Sequence, residues 1–127
     1  PHLLAAAERP PRQVADLVNV SSVAGRVARA GSGVYNATKW GVGAFSESLR
    51  QEVTGRYVRV SLVEPGAVDT ELRTHLRPEA REQLQARLAG VTLLRGTDIA
   101  DAIAYIVTRD REVAINEVLV RPTRAAQ

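Results

Sequence analysis

Hydrophobic and polar positions fall into blocks with two different periods along this chain. Residues 15 to 21, "ADLVNVS", are a short apolar run rich in β-branched side chains and bounded by turn formers, which predicts a strand. A loop of small residues, "SVAGRVARAGSG", follows. Val34, Ala37, Gly41, Phe45, Leu49 and Val53 then recur at helical spacing and predict a helix ending near Gly55. "YVRVSLV", residues 57 to 63, reads as a second strand that breaks at Glu64-Pro65-Gly66. Residues 70 to 90 are charged and helix-prone, with Pro78 suited to a first helical turn. Thr97 is placed to cap a helix carrying Ile99, Ala102, Ile103 and Ile106 on one face, and "EVLVRP" predicts a closing strand. Strands alternating with helices predict a single α/β domain over residues 1 to 127, built on a parallel sheet.

Composition narrows the classes. A chain of 127 residues with 45% apolar and 24% charged residues suits one globular domain. No apolar run has bilayer length, and the N-terminus lacks the layout of a signal peptide, so the expectation is a cytoplasmic protein with no membrane partner. Cysteine is absent, and His2 and His75 have no ligand spacing, so no metal site is expected. The net charge of +3 comes from arginines scattered between Arg9 and Arg124, with only 4% aromatics. A nucleic-acid surface wants a basic stripe, so no nucleic-acid partner is expected. The opening "HLLAAAER" reads as the tail of an apolar helix stopped by Pro10 and Pro11. Such a tail at residue 1 fits a protein that begins earlier, and loss of a start methionine before proline fits as well.

Of the 17 basic residues (Lys and Arg), 16 are arginine, and Lys39 is the only lysine. It stands four residues after Tyr35, so on a helix the two share a face. A tyrosine phenol has a reference pKa near ~10, too high for easy proton exchange at neutral pH. A neighbouring ammonium stabilises the phenolate and turns the tyrosine into a usable general acid and base. Lysine suits this as a compact charge on a flexible stem, whereas arginine brings a wide planar fork. Taken alone, Tyr-x-x-x-Lys is usually an ordinary amphipathic helix surface. Two neighbours change the picture: Ser22 lies where the first strand ends, and Pro65-Gly66 where the next ends. In a parallel sheet both loops open on the edge where ligands bind.

"NVSSVAG", "YNATK" and "VEPGAVDT", in this order and spacing, resemble the short-chain dehydrogenase/reductase family over essentially the whole chain. The match is to its C-terminal, catalytic half, and implies the C-terminal portion of a Rossmann-like doubly wound sheet. It implies an oxidoreductase that passes hydride between NADP or NAD and a small alcohol or carbonyl substrate. Ser22 would orient the substrate oxygen, and Tyr35 would give or take its proton. Lys39 would assist Tyr35 and hold the nicotinamide ribose. Pro65 and Gly66 would shape the loop beside the nicotinamide, the Val68 backbone would meet its carboxamide, and Thr70 would bond the cofactor. Ser21 competes with Ser22, and the family pattern favours the second.

The family's glycine-rich cofactor turn has no counterpart here, since "GSG" at 31 to 33 follows a loop rather than a strand. The expectation is therefore the catalytic half of a longer enzyme, inactive when alone. The closing "NEVLVRPTRAAQ" is similar to a subgroup that uses NADP and oxidises small hydroxy acids such as serine, which tips the cofactor expectation towards NADP. The resemblance also implies homo-oligomers formed through the Val34 to Val53 helix, where Gly41 and Gly43 allow close approach or are simply tolerated. Arg73, Arg77, Arg81 and Arg87 lie in a predicted flap, residues 71 to 90, and read first as a solvated face. The competing reading is a non-catalytic module that binds a partner through its sheet edge or long helix.

Overall fold

Strand β2, Val58–Pro65, is buried at all eight positions. In the computed structural model, which describes residues 1 to 125, it lies between β1, Ala15–Val20, and β3, Glu117–Val120, and pairs parallel with both. The last two residues of the closing "NEVLVRPTRAAQ", Ala126 and Gln127, lie outside the described residues. Alternate side chains of a strand face opposite ways. Val58 accordingly packs with Ala7 and Leu4 of helix α1, His2–Ala7, and with Val53 of helix α2, Gly33–Val53. Val63 faces the other layer, where Ile99 and Ile106 of helix α4, Gly96–Val107, close a second core with Val18 and Val118. Helices thus cover both faces of a parallel sheet, the predicted α/β class.

Several boundaries differ from the sequence expectation, each for a local reason. Strand β2 runs on through Glu64 and Pro65 because β3 pairs with it as far as Pro65↔Val120, and because Arg26 neutralises Glu64. Residue 57 is not yet strand: Tyr57 is left-handed, at φ 57°, after a 3₁₀ turn at Thr54–Arg56. Thr97 does not cap α4. The cap falls on Arg95, whose backbone N–H donates to the Asp98 carboxylate at 2.7 Å, a strong acceptor in the first turn. The segment from 70 to 90 splits into a 3₁₀ turn, Glu71–His75, and a short helix α3, Pro78–Arg87, that buries none of its residues.

Helix α2 holds the largest surprise. Its predicted apolar series faces the sheet only at its end: Val34 is 86% and Phe45 61% exposed, whereas Leu49 and Val53 are partly buried and Val53 packs on Val58. Elsewhere the inner face is polar or small, with Asn36 and Ser46 buried, Asn19 of β1 donating to the Ser46 hydroxyl at 2.8 Å and Gly43 set against Leu62. An apolar hollow of about 280 Å³, lined by Leu3, Leu4, Leu17, Leu49 and Val53 among others, lies between α1, β1 and α2.

At the strand-entry end of the sheet, Arg59 is buried beside its register partner Asp16, with Nε 2.7 Å from the carboxylate. Its guanidinium also donates to the carbonyls of Asp110 at 3.0 Å and Val113 at 2.6 Å, tying the segment after α4 to the central strand. Removing one member of a buried pair leaves the other charge without compensation. Arg59→Met should therefore lower the unfolding free energy by about 3–5 kcal/mol. Urea unfolding checks this, and a loss under about 1 kcal/mol would mark the pair as no better than a screened surface contact.

Candidate active site

Three polar side chains gather where β1 ends. The ladder extends one step past the strand, with Ser21 N–H donating to the Val63 carbonyl at 2.7 Å, so the loops after β1 and β2 leave the sheet side by side. Ser22 is extended and caps a 3₁₀ turn at Val23–Gly25, its hydroxyl accepting from Ala24 N–H at 3.1 Å. That bond uses a lone pair and leaves the hydroxyl proton free to donate. From α2, Lys39 Nζ reaches across to the Val20 carbonyl at 3.4 Å, and it stands 5.7 Å from the centre of the Tyr35 ring. Tyr35 is half-exposed, and among the described residues its hydroxyl makes no hydrogen bond. No side-chain hydrogen bond joins Ser22, Tyr35 and Lys39 to one another among the described residues. They share one sheet edge rather than a closed network.

The serine pair divides its work. Both are buried, but Ser21 donates to the Lys39 carbonyl at 3.2 Å and so serves the helix, while the Ser22 hydroxyl bonds within its own loop.

The second loop supplies the rest. Pro65 ends β2, and Gly66 N–H donates to the Val120 carbonyl at 2.7 Å. A Cβ on Gly66 would stand 3.2 Å from Pro122 Cδ and 3.4 Å from the Val120 carbonyl oxygen, a close approach that favours glycine. Val68 forms an isolated parallel bridge with Leu94, made by Asp69 N–H to the Leu94 carbonyl and Leu94 N–H to the Ala67 carbonyl. Such a bridge uses the flanking peptide groups, so Val68's own N–H and C=O turn away from Leu94. Thr70 begins the Glu71–His75 turn, but its side chain makes no capping bond. Among the described residues, a hydroxyl and a peptide group are thus left uncommitted on this loop.

Sequence reasoning overlooked the residues that hold the serine loop in place. Asn36, buried between Tyr35 and Lys39 in the sequence, donates from Nδ2 to the Ala24 carbonyl at 2.8 Å and to the Val27 carbonyl at 2.9 Å. Its Oδ1 accepts from Arg29 N–H at 3.3 Å. Gly25 lets that loop lie directly on the helix, since a Cβ would stand 3.0 Å from the Lys39 carbonyl oxygen and 3.1 Å from Ser21 Oγ. A buried-side asparagine on a helix that passes a small-residue loop was the available signal. Arg26 was likewise read only as one scattered cation. Its guanidinium donates to the buried Glu64 carboxylate at 2.5 Å, and hydrogen bonding to Glu64 raises its pKa above the ordinary arginine value.

The flap arginines behave mostly as a solvated face: Arg77, Arg81 and Arg87 are exposed, while Arg73 lies 3.6 Å from Asp69. Desolvation, then the charge of Arg29, lowers the Arg87 guanidinium from its ordinary value.

Comparison with known proteins places this site in context. Residues 3 to 81 match the family model described as short chain dehydrogenase. The chain belongs to that family of oxidoreductases. It is 38% identical over 109 residues to an uncharacterised oxidoreductase of Staphylococcus saprophyticus, an alignment covering 84% of this chain and 44% of the relative. Among solved structures it resembles the closed form of a serine dehydrogenase complexed with NADP+, at TM-score 0.70 and 30% identity, over 83% of this chain and 43% of that one. A small-chain dehydrogenase in complex with NADPH shares the fold at TM-score 0.69 and 19% identity, over 84% of this chain and 49% of that one. The chain thus spans less than half the length of each of these proteins.

Asn36→Ala deletes three hydrogen bonds and leaves two loop carbonyls and one N–H without their partner. It should destabilise the chain by about 1–3 kcal/mol and speed amide exchange between residues 24 and 29. Exchange followed by mass spectrometry, with urea unfolding alongside, measures both.

Proposed function

We propose that this chain is the catalytic half of an NADP- or NAD-dependent short-chain dehydrogenase/reductase, with NADP favoured, acting on a small alcohol or carbonyl compound. The carrying observation is the placement of the chain's single lysine, spanning from α2 to the end of β1 beside Tyr35. The groups that keep hydrogen-bonding capacity at this edge are a phenol, an ammonium, two hydroxyls and one peptide unit, a donor and acceptor set that suits the nicotinamide and ribose end of a dinucleotide. Lys39 and Tyr35 would hold the ribose, Val68 the carboxamide and Thr70 the adjoining polar groups, on a loop shaped by Pro65 and Gly66. When bound, the nicotinamide supplies or accepts the hydride.

The protein's own part is proton handling and orientation. Ser22 donates its free hydroxyl proton to the substrate oxygen and fixes its direction. Tyr35 takes the proton from an alcohol, or gives it to a carbonyl, at that same oxygen. Lys39 stabilises the phenolate that forms when the proton leaves, and its own position is set by the Val20 carbonyl. Small hydroxy acids such as serine are the proposed substrate class, supported by the likeness to a serine dehydrogenase at 30% identity.

Homo-oligomer formation through α2 belongs to the same reading. Val34, Trp40 and Phe45 are exposed on this helix, and a Cβ on Gly41 would meet no atom within 4 Å. The same exposed side chains, with an outer edge of β1 that pairs with no strand among the described residues, favour the alternative of a non-catalytic interaction module. No helix among the described residues is long and apolar enough to cross a membrane.

Two measurements test the proposal. In the enzyme that contains this chain together with a cofactor-binding half, Tyr35→Phe should remove nearly all turnover while leaving thermal unfolding unchanged. Lys39→Arg should also be severely impaired, because ribose contact and support of the phenol depend on lysine's compact head. Near-normal turnover in the arginine variant would overturn the role given to Lys39. These 127 residues alone should neither bind a dinucleotide tightly nor transfer hydride, because remote binding groups position the reacting end. Titration with NADH and NADPH, followed by nucleotide fluorescence and heat, checks this, and micromolar affinity with carbonyl reduction would contradict it.

A further inference from the structure

Glu64 is a buried carboxylate that the proposed chemistry does not use. Its side chain is 3% exposed, and it lies one residue before Pro65, at the sheet edge where Ser22 and Lys39 also lie. Its charged partner is Arg26, four residues after Ser22, whose Nε donates to the Glu64 carboxylate at 2.5 Å and whose Nη2 stands within ion-pair distance of the same oxygen. Arg26 also reaches Glu117, the first residue of β3, at 2.5 Å. One guanidinium thus ties together the serine loop, the end of β2 and the start of β3. The neighbouring Gly25 rests on the Lys39 carbonyl, so displacement of this loop is transmitted to the helix turn that carries Lys39.

A buried charge is costly unless paired, and an apolar pair of similar volume would hold these elements together at least as well. A charged strut at this edge gains instead in direction: one planar guanidinium, donating from Nε to Glu64 and from Nη2 to Glu117, fixes the spacing of the serine loop from the strand ends more narrowly than apolar contact does. We propose that the Arg26–Glu64 pair is a positioning device that sets the Ser22 loop against the Pro65–Gly66 loop, and so the distance between the substrate-orienting hydroxyl and the cofactor cleft. This rests on the dehydrogenase reading above.

The informative variant is the double substitution Arg26→Met with Glu64→Leu, which removes the strut without leaving a lone buried charge. It is compared with wild type and with Glu64→Gln. In the chain itself, amide exchange at Gly25, Arg26 and Val27, whose N–H groups donate to Ser22 and Val23 carbonyls, should quicken in the double variant although thermal stability stays near wild type. In the enzyme with its cofactor-binding half, L-serine oxidation with NADP+ should show kcat lowered ~10- to 100-fold and KM for NADP+ little changed, as expected for a misplaced reacting group. Arg26→Lys, which keeps a shorter cation, should recover part of kcat. Wild-type exchange in the double variant, or full kcat with the strut removed, would overturn the proposal. Absence of turnover in the wild type would count against the dehydrogenase reading instead, and the exchange comparison would then decide the strut alone.

Discussion

Full burial of β2 is the constraint on which this structure turns. A strand covered on both faces normally reads as a continuous apolar run, yet this one carries Arg59 near its start and Glu64 near its end. Each charge must find compensation within reach, one in the neighbouring strand and the segment after α4, the other in the loop after β1. Arg59 draws in Asp16 and the carbonyls after α4, and Glu64 draws in Arg26 from the loop after β1. The two poles of the sheet are thereby differently employed. One is closed by arginine against backbone, and the other holds loops whose hydroxyls and peptide groups remain open.

The same constraint explains the unusual inner face of α2. The helix crosses a strand end crowded by a serine loop, so the residues facing inward are those that can hydrogen-bond or yield space: Asn36, Gly43 and Ser46. Apolar contact is left to the C-terminal end of the helix, where Leu49 lines the hollow and Val53 packs on Val58, while Val34 and Phe45 stay outside. A helix ordinarily buries its hydrophobic stripe along its length, and the partial burial here follows from what lies beneath it.

Much of the fold was legible in sequence because its strands are short, β-branched and bounded by turn formers, and because α2 is long. The ends of elements were less legible. Glu64-Pro65 looked like a strand breaker, since nothing local reveals that Arg26, 38 positions earlier, neutralises the glutamate. Thr97 looked like a cap because hydroxyls cap well, but Asp98 was placed to accept the Arg95 N–H and did so. At the site, Tyr35, Lys39 and the paired serines stood out by residue type and spacing. Asn36, Gly25 and Arg26 did not, because their roles depend on contacts between a loop and a helix that only the folded chain brings together.

Helix α2 also carries Trp40, the single tryptophan of the chain, half-exposed and adjacent in sequence to Lys39. All indole emission from this protein therefore originates one residue from the lysine. With water around it the ring should emit at long wavelength, and any surface that settles on the helix should shift that light to the blue and shield it from soluble quenchers. The molecule carries its own optical gauge of what covers α2, readable without a label.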